Sequence, residues 1–431
     1  MLDLASKTVS LVGYGVSNRA VGEYLRAQGV DFTVRCEKPV DLEKGTRAVF
    51  GQGYLDTDED VIFRSPGVHP RLIKGRGAVY TEVGLALEMA RCTKIAVSGS
   101  DGKTTTSTLI YQMLKQGAKN AFLGGNVGYP IIGIAGTLSR SDCLVAELSS
   151  FQLMDLSPQL DIAAVTNVSP NHLDWHAHMD EYISAKKNIV KNAALAVLNY
   201  DDPTVRAFDA KKKIYFSLSD RRDLIGKDDF VHVADGFVCY NRQRLFKVSD
   251  ICLRGDFNVM NVLCAVGCTY GIVGKEACHR VACEFCGVSG RQECVGTVNG
   301  VTYVNSAIDT TPTRTKNTLS AYRGKGVVAI LGGYDKNLDY ACLSSPLSNL
   351  KAVVLCGENR DKISRVSKGK TLTVNTLEEA VEVASKIATE GDFVILTPAS
   401  ASYDMFKNYK EKGALFARCV SRLGKEEPCE S

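Results

Sequence analysis

The chain has 431 residues, which is too long for a single hydrophobic core, so two or three domains are expected. Its composition is 45% hydrophobic and 23% charged, as in ordinary globular proteins, and the formal net charge of +4 gives no basis for a surface that binds nucleic acid or membrane. The first residues lack the basic and apolar regions of a signal peptide, and we see no run of about 18 apolar residues that could span a bilayer. A cytoplasmic protein without a membrane-spanning segment is therefore expected.

The 15 cysteines are scattered through apolar segments, where cysteine behaves as a small hydrophobic residue. Cys283 and Cys286 form one C-x-x-C pair, but no second pair follows that would complete a structural zinc site. We therefore expect reduced thiols and no disulfide framework.

Apolar, β-rich runs alternate with helical patterns almost throughout, which predicts α/β domains built on parallel sheets. At three places a predicted strand is followed by a glycine turn, and we take each of these places as the start of a domain. These strands are predicted at Thr8–Gly13, Lys94–Gly99 and Gly326–Gly333, the last preceded by a strand at Val301–Asn305. We therefore predict domains over residues 1–89, 90–289 and 290–431.

The middle domain is predicted to hold the largest sheet. Its further strands are predicted at Cys143–Leu148, Ile162–Asn167 and Leu195–Tyr200, with a tight hairpin turn at Asp235-Gly236. The last domain is predicted to contain strands Ala352–Gly357 and Phe393–Pro398 and a helix over Leu377–Thr389.

The segment Ser98–Thr105, S-G-S-D-G-K-T-T, lies between a predicted strand and a predicted helix. Backbone N–H groups in such a loop and the positive end of the helix dipole form an anion site, and glycines let the backbone approach a phosphate. Lys103 adds a positive charge for the outer phosphates, and the Thr104 hydroxyl can ligate Mg²⁺. The pattern predicts a nucleotide site, the ATP site of the family resemblance given next, made by Gly99, Ser100, Asp101, Gly102, Lys103, Thr104 and Thr105. The alternative is a structural turn between strand and helix that happens to contain a lysine.

This shortened loop, G-x-x-G-K-T-T, resembles that of the Mur ligase and folylpolyglutamate synthase superfamily, and more motifs of that superfamily follow in the same order. They are 124–128 (G-G-N-V-G), 146–153 (A-E-L-S-S-F-Q-L), 166–174 (T-N-V-S-P-N-H-L-D) and 182–186 (Y-I-S-A-K). The 146–153 motif resembles the D-glutamate-adding Mur ligases in particular. The resemblance implies that ATP converts a carboxylate into an acyl phosphate, which an amine then attacks.

Charge that accumulates on a transferring phosphoryl group is stabilised by cations positioned beforehand. Glu147 ends an apolar strand, where a carboxylate suits Mg²⁺. By resemblance, His172 and a carbamylated Lys186 serve a second metal, because a carbamate presents an anionic oxygen pair that a free ammonium lacks. The resemblance implies two Mg²⁺ sites that involve Thr104, Glu147, His172 and Lys186, with Lys103, Glu147, His172 and Lys186 as catalytic residues.

The histidines His172, His176 and His178 leave a zinc cluster as an alternative, although no thiolate or carboxylate spacing supports a closed site.

Two further segments resemble nucleotide-binding motifs of the superfamily. The stretch Arg254–Asn261 is similar to G-x-H-N-x-x-N, and 290–293 (G-R-Q-E) is similar to the start of the last domain. The resemblance implies that Asn258, Asn261 and Arg291 hold ATP.

The chain departs from the family pattern at two positions. Phe257 replaces the usual histidine, and Ser306 stands where a nucleotide-contacting aspartate is expected. Asp309 is a nearby candidate to replace that aspartate.

Near the end of the chain, 331–336 (L-G-G-Y-D-K) and 398–409 (P-A-S-A-S-Y-D-M-F-K-N-Y) resemble segments that bind D-glutamate in this family. The resemblance implies that Thr310, Lys336, Ser402 and Tyr409 line the amino-acid site. A cation and hydroxyl groups suit a dicarboxylic amino acid.

The N-terminal segment Gly13–Asn18 half-matches a dinucleotide fingerprint, but its third glycine is absent and Cys36 occupies the expected acidic position. A glycine turn that opens a helix also suits the diphosphate of a UDP-sugar. The resemblance favours this second interpretation. It implies a UDP-sugar site that contains Val16, Ser17, Ser65, Gly67, Asn126, Ser149 and Gln152.

Over nearly the whole chain, the resemblance implies an α/β protein with a Rossmann-like UDP-binding domain, a central P-loop ATPase-like parallel-sheet domain and a C-terminal Rossmann-like domain. The implied reaction joins D-glutamate to UDP-N-acetylmuramoyl-L-alanine in the synthesis of peptidoglycan precursors, with ATP and Mg²⁺ as cofactors. The implied partners are these two small molecules, with no nucleic acid or membrane, and a monomer is expected. The alternatives are another amino-acid ligase of the superfamily, an NAD-binding Rossmann protein and a ligase-like binding protein without turnover.

Overall fold

The computed structural model describes Leu4 and residues 6–172, 175–285, 287–288 and 290–424. Cys286 of the C-x-x-C pair and the motif residues Leu173 and Asp174 lie outside the described residues. The chain divides into two compact units. The first unit comprises Met1–Cys252 and Phe257–Glu284, and the second comprises Leu253–Asp256 and Phe285–Ser431.

The N-terminal part of the first unit is built on a five-stranded, fully parallel sheet in the order β3-β2-β1-β4-β5. Its strands are β1 Val9–Val12, β2 Thr33–Cys36, β3 Arg47–Phe50, β4 Val61–Arg64 and β5 Ala78–Tyr80. Its helices are α1 Val16–Ala27 and α2 Glu82–Met89, with a short 3₁₀ turn at Pro70–Leu72. Every residue of the central strands β1 and β4 is buried, as expected for strands covered on both faces.

The rest of the first unit is built on a nine-stranded sheet in the order β14-β13-β12-β11-β10-β9-β6-β8-β7. Its strands are β6 Thr93–Ser98, β7 Ala121–Gly125, β8 Cys143–Glu147, β9 Leu160–Val165, β10 Ala193–Asn199, β11 Lys213–Ser217, β12 Asp229–Ala234, β13 Phe237–Tyr240 and β14 Gln243–Lys247. The strands from β6 to β12 pair in parallel, and β12, β13 and β14 form an antiparallel meander. The edge where the parallel strands end is where α/β folds bind ligands.

Among the described residues, six helices accompany this sheet. They are α3 Lys103–Gln116, α4 Ile132–Ala135, α5 Ser150–Leu153, α6 Met179–Lys187, α7 Pro203–Arg206 and α8 Asp256–Glu284. A 3₁₀ turn spans Val248–Asp250.

The second unit is built on a six-stranded sheet in the order β15-β16-β20-β17-β18-β19, in which only β15 is antiparallel to its neighbour. Its strands are β15 Glu293–Val298, β16 Val301–Asn305, β17 Val327–Leu331, β18 Ala352–Leu355, β19 Thr371–Thr373 and β20 Phe393–Leu396. Its helices are α9 Pro312–Ser320, α10 Ser344–Ser348, α11 Arg360–Val366, α12 Leu377–Ile387 and α13 Tyr409–Leu423, with a 3₁₀ turn at Ala341–Leu343.

The prediction of an α/β protein with parallel sheets is confirmed, and each strand named from the sequence is present within a few residues of its predicted ends. The hairpin turn is also confirmed. Asp235 and Gly236 have φ values of 51° and 77°, as a primed turn requires at both central residues.

The expectation that no apolar run is long enough to cross a membrane was wrong for α8. By length and composition alone this helix could span a bilayer, although 61% of its most apolar window is buried inside the protein. Gly274 interrupts the helix with a φ of 78°. This burial is typical of a core helix.

A titratable side chain lies in the core where α2 meets α4. Glu82 is 2% exposed and accepts a hydrogen bond of 2.8 Å from the Ile132 N–H. Burial raises the pKa of Glu82 from 4.5 to about 7, against the opposing effect of the Ile132 and Ile131 N–H groups.

We expect Glu82→Gln to stabilise the protein above pH 7. The unfolded chain loses this proton near its ordinary pKa while the folded protein keeps it to about pH 7, so the free energy of unfolding falls as pH rises through that window. The gain at pH 8 is roughly 3 kcal/mol and vanishes near pH 4.5. Urea unfolding of the variant at both pH values measures it, with Glu88→Gln on the exposed face of α2 as control. Equal stability of Glu82→Gln and wild type at pH 8 would contradict this prediction.

Candidate functional site

The predicted phosphate loop connects β6 to α3, and two of its glycines are required by their surroundings. Gly99 has a φ of 148° and Gly102 a φ of 80°, both outside the range that other residues favour. A methyl group on Gly99 would collide with the Thr166 hydroxyl, and one on Gly102 with the Asn261 amide. The backbone therefore passes close to both side chains, and α3 starts directly after the loop.

The segment that follows β9 holds this loop in place. The Ser100 N–H donates to Asn167 O at 2.8 Å, and the Asp101 N–H donates to Asn167 Oδ1 at 2.9 Å. The Thr166 hydroxyl donates to Asp101 O at 2.6 Å. The T-N-V-S motif therefore shapes the phosphate loop.

Two lysine amines converge on the start of the loop. Lys103 Nζ donates to Gly99 O at 3.0 Å and to Ser100 O at 2.9 Å, and Lys186 Nζ donates to Gly99 O at 2.6 Å. Lys186 is 1% exposed, and its pKa is well below the usual 10.5 because it is buried and because the Lys103 charge is near. Asp101 and Glu147 act in the opposite direction. A lowered pKa favours the neutral amine, which is the form that can react with carbon dioxide.

Glu147 lies at the same edge, because β8 pairs with β6 and Glu147 stands opposite Val97. The side chain is 2% exposed, and its Oε1 accepts a hydrogen bond of 2.8 Å from Asn126 Nδ2. Its Oε2 has no hydrogen-bond partner among the described residues. A buried carboxylate oxygen without a donor is costly, so this site fits a cation such as Mg²⁺. The Thr104 side chain lies in the first turn of α3 and is buried.

Within the described ranges, no three His, Cys, Asp or Glu side chains are grouped as a metal site. His176 Nε2 lies 2.9 Å from Ser150 Oγ, and His178 caps α6 by accepting a 3.2 Å hydrogen bond from the Glu181 N–H. These contacts give two of the three histidines structural roles, and the zinc alternative gains no support. His172 packs edge-on against Phe151, with ring centroids 4.8 Å apart.

The predicted asparagines of the nucleotide site lie in the first turns of α8 and are buried. Asn261 Nδ2 donates to Asn258 Oδ1 at 3.1 Å, while Asn261 Oδ1 accepts a hydrogen bond of 3.2 Å from the Thr106 hydroxyl of α3. Asn261 therefore supports the phosphate loop at Gly102. Phe257 is partly exposed beside them.

In the N-terminal sheet, the two predicted UDP-sugar segments lie side by side. β1 and β4 are parallel neighbours, and the Ser65 N–H donates to Val12 O at 2.9 Å. A methyl group on Gly13 would lie 2.8 Å from Ser65 Cβ. Val16 and Ser17 form the first turn of α1, so its N–H groups are available to an anion there.

Ser149 and Gln152 form a capping box at the start of α5. The Ser149 N–H donates to Gln152 Oε1 at 2.9 Å, and the Gln152 N–H donates to Ser149 Oγ at 3.3 Å. Asn126 binds Glu147 through both its backbone and its side chain. A role of these three residues at the UDP-sugar stays a prediction.

In the second unit, the two segments predicted to bind the amino acid are adjacent. The Tyr334 N–H donates to Ala401 O at 2.8 Å, which joins the turn after β17 to the segment after β20. Ser402 Oγ and Asp404 Oδ1 are buried without a hydrogen-bond partner among the described residues. Lys336 is exposed, with its ammonium 5.8 Å from the Tyr403 ring centroid. Unpaired buried polar atoms in this segment suit a polar ligand.

The other residues predicted for this unit lie in different surroundings. Thr310 is half-buried after β16, Tyr409 starts α13 with its ring beside Gly290, and Arg291 precedes β15.

Ser306 Oγ accepts a hydrogen bond of 3.3 Å from the Gln292 N–H. Asp309 accepts hydrogen bonds from the Thr318 and Thr397 hydroxyls at 2.7 and 2.9 Å, and burial raises its pKa. Asp309 therefore serves the packing of its own unit, and the suggestion that it replaces the missing aspartate gains no support.

Comparison with known proteins identifies the family. The profile of the Mur ligase middle domain matches residues 97–269, and that of the Mur ligase glutamate ligase domain matches residues 290–400. A UDP-N-acetylmuramoylalanine–D-glutamate ligase from Acetivibrio thermocellus is 38% identical over 97% of this chain and 97% of its own. A protein of the same name from Clostridium tetani is 35% identical, again over 97% of this chain and 97% of its own. This chain belongs to the Mur ligase family.

Solved Mur ligase structures share the fold. The UDP-N-acetylmuramate–alanine ligase MurC from Thermotoga maritima aligns with a TM-score of 0.61 at 17% identity, over 96% of this chain and 99% of that one. A UDP-N-acetylmuramoyl-L-alanyl-D-glutamate–2,6-diaminopimelate ligase aligns with a TM-score of 0.58 at 17% identity, over 97% and 92%.

Sequence reasoning missed several residues that shape this Mur ligase. Tyr182, whose hydroxyl lies 2.8 Å from Ser100 Oγ, was within a quoted motif but had no role. Lys412, which is buried and donates to Gly332 O at 2.6 Å, was not singled out. Burial lowers the pKa of Lys412. A lysine inside an amphipathic helix looks like any surface lysine in the sequence, so no local signal marks it.

We expect Gly102→Ala to weaken ADP binding by about tenfold or more. The left-handed conformation costs a residue with a side chain about 1–2 kcal/mol, and the added methyl group displaces Asn261. Calorimetric titration with ADP measures the effect. Gly133→Ala is the control, because a methyl group there meets no described atom within 4 Å. Unchanged ADP affinity in Gly102→Ala would show that the loop does not hold the nucleotide.

Proposed function

We propose that this protein joins D-glutamate to UDP-N-acetylmuramoyl-L-alanine in an ATP-dependent reaction that yields ADP and phosphate, within the cytoplasmic synthesis of peptidoglycan precursors. The observation that carries the proposal is the buried Glu147 oxygen without a donor, next to a glycine loop with two converging lysines. The names of relatives that match over 97% of the chain support this choice of substrates.

In this proposal each of three domains binds a different substrate. Residues 1–89 form a Rossmann-like domain that holds the UDP-sugar at the Gly13 and Ser65 turns. Residues 90–289 form a P-loop ATPase-like domain that holds ATP and Mg²⁺. Residues 290–431 form a Rossmann-like domain that holds D-glutamate through Lys336, Ser402, Thr310 and Tyr409. The protein acts as a monomer, without nucleic-acid or membrane partners.

The residues of the central domain are suited to acyl phosphate formation. N–H groups in the first turn of α3 face the phosphates of ATP, since the Ser100 and Asp101 N–H groups are bound to Asn167. Lys103 exchanges its bonds with backbone carbonyls for bonds with phosphate oxygens. Glu147 and Thr104 would hold one Mg²⁺, and His172 and carbamylated Lys186 would hold a second; bound there, the ions would supply positive charge against the charge of the transferring group. Asn258, Asn261 and Arg291 hold the nucleotide.

The amine of D-glutamate then attacks the activated carbonyl carbon. Lys336 and the Ser402 hydroxyl orient the side-chain carboxylate of the amino acid, so that its amine faces the acyl phosphate. Exclusion of water matters, because an acyl phosphate hydrolyses readily.

The test is phosphate release from ATP and Mg²⁺ with UDP-N-acetylmuramoyl-L-alanine, in parallel with D-glutamate, L-glutamate or no amino acid. We expect release only with D-glutamate. Glu147→Gln keeps the shape and the bond with Asn126, and we expect it to lower kcat by about 10²-fold or more, as the loss of a charge-stabilising group does.

Other outcomes of this assay favour the alternatives. Release with another amino acid would support a different ligase of the superfamily. Binding of ATP and UDP-sugar without turnover would support a binding protein, for which Phe257 and Ser306 would be the first positions to revert. Binding of NAD by the Gly13 turn, with no UDP-sugar binding, would support the Rossmann alternative.

We expect Lys186→Ala to abolish most activity and acetate to restore part of it, because acetate supplies the oxygen pair of the lost carbamate. Wild-type protein in ¹³C-bicarbonate should show a carbamate carbon signal by NMR that Lys186→Ala lacks. Lys187→Ala is the matched control, since Lys187 is exposed on the same helix. A wild-type spectrum without a carbamate signal would count against carbamylation.

A further inference from the structure

Arg64 is the last residue of β4, and its side chain is completely buried. Nε donates to Asp155 Oδ2 at 3.0 Å and Nη2 to Asp155 Oδ1 at 2.6 Å, so the two side chains form a bidentate pair. Nη2 also donates to Phe151 O at 3.0 Å. Phe151 lies in α5, within the Ser149–Gln152 capping box, and Asp155 lies just after the helix.

The third nitrogen of the guanidinium holds the turn that follows β4. Nη1 donates to Val68 O at 2.9 Å and lies 3.4 Å from both Ser65 O and Pro66 O. The remaining carbonyl of this turn, Gly67 O, accepts a hydrogen bond of 3.1 Å from Trp175 Nε1. All four carbonyl oxygens from Ser65 to Val68 are thus bound by protein donors.

This arrangement affects the electrostatics of the Ser65–Val68 turn. Carbonyl oxygens repel an anion, and here they are directed towards Arg64 and Trp175. On the other side, a methyl group on Gly15 would lie 3.8 Å from Ser65 Oγ, so that hydroxyl faces the glycine turn before α1. A diphosphate at this turn meets the hydroxyl and N–H groups while the carbonyls are turned away.

We propose that Arg64 is a positioning residue for the UDP-sugar, which orients the Ser65–Val68 turn and ties it to α5 through Phe151 and Asp155. The inference rests on the proposed function, since it assumes that Ser65 and Gly67 bind the UDP-sugar. Arginine is needed because its planar fork serves Asp155 and the turn carbonyls simultaneously, whereas a lysine amine reaches only part of this set.

The test compares Arg64→Lys with Arg35→Lys. Arg35 also forms a largely buried pair in the same sheet, with Glu59 at 2.9 Å, but it does not bind the Ser65–Val68 turn. We expect Arg64→Lys to raise the Kd for UDP and the KM for UDP-N-acetylmuramoyl-L-alanine by about tenfold or more, the effect of losing hydrogen bonds to a charged group. The KM for ATP and kcat at saturating UDP-sugar should stay within about twofold of wild type.

The two kinds of failure are distinguishable. If the wild-type chain binds no UDP, the proposed function fails and this inference fails with it. If the wild type binds UDP and the Kd of Arg64→Lys for UDP is unchanged, the positioning role is overturned. It is also overturned if Arg64→Lys lowers only kcat and the melting temperature.

Trp175→Phe provides a second variant if Arg64→Lys does not fold. It removes the donor to Gly67 O and keeps an aromatic ring against Phe151, whose centroid lies 4.5 Å away. We expect a smaller rise in the Kd for UDP in the same direction. An unchanged Kd in this variant would overturn the idea that the turn carbonyls must be held.

Discussion

The close approach of the backbone to neighbouring side chains at the end of a parallel strand is the constraint on which this structure depends. At Gly99 and Gly102 the chain passes so near Thr166 and Asn261 that no side chain fits. The segment that follows the neighbouring strand β9 supplies Thr166 and Asn167, which bind the loop from the side. Glu147 and Lys186 meet this loop because β8 and α6 end beside it. The site is therefore assembled from strand ends that are distant in the sequence.

The same type of hydrogen bond stabilises a glycine turn in each of the three sheets. The first glycine after the strand has a carbonyl that the sheet does not satisfy, and a buried side chain from a helix binds it. Asn18 Nδ2 donates to Gly13 O at 2.7 Å, Lys186 Nζ to Gly99 O at 2.6 Å and Lys412 Nζ to Gly332 O at 2.6 Å. A buried carbonyl left unpaired would be costly, so each donor stabilises its turn.

Much of the fold and of the central site could be predicted from local patterns. Continuous apolar runs that end in glycine predicted β1, β6 and β17, and the order of motifs predicted the family. Short edge strands such as β3 and β19 carry no such pattern, because their burial depends on their neighbours. The polar Asp309 looked like a ligand in sequence, and only its contacts with Thr318 and Thr397 place it inside the second unit.

The sequence by itself determined the α/β class, the glycine turns, the phosphate loop and membership of the Mur ligases, because each of these depends on residues that are close together in the chain. Tertiary structure alone decided that Glu147 keeps a buried oxygen without a donor, that most of α8 is a core helix, and that Arg64 links the Ser65–Val68 turn to α5. Burial and pairing depend on contacts between residues such as Arg64 and Asp155, which are 91 positions apart. No local pattern encodes a contact of that range.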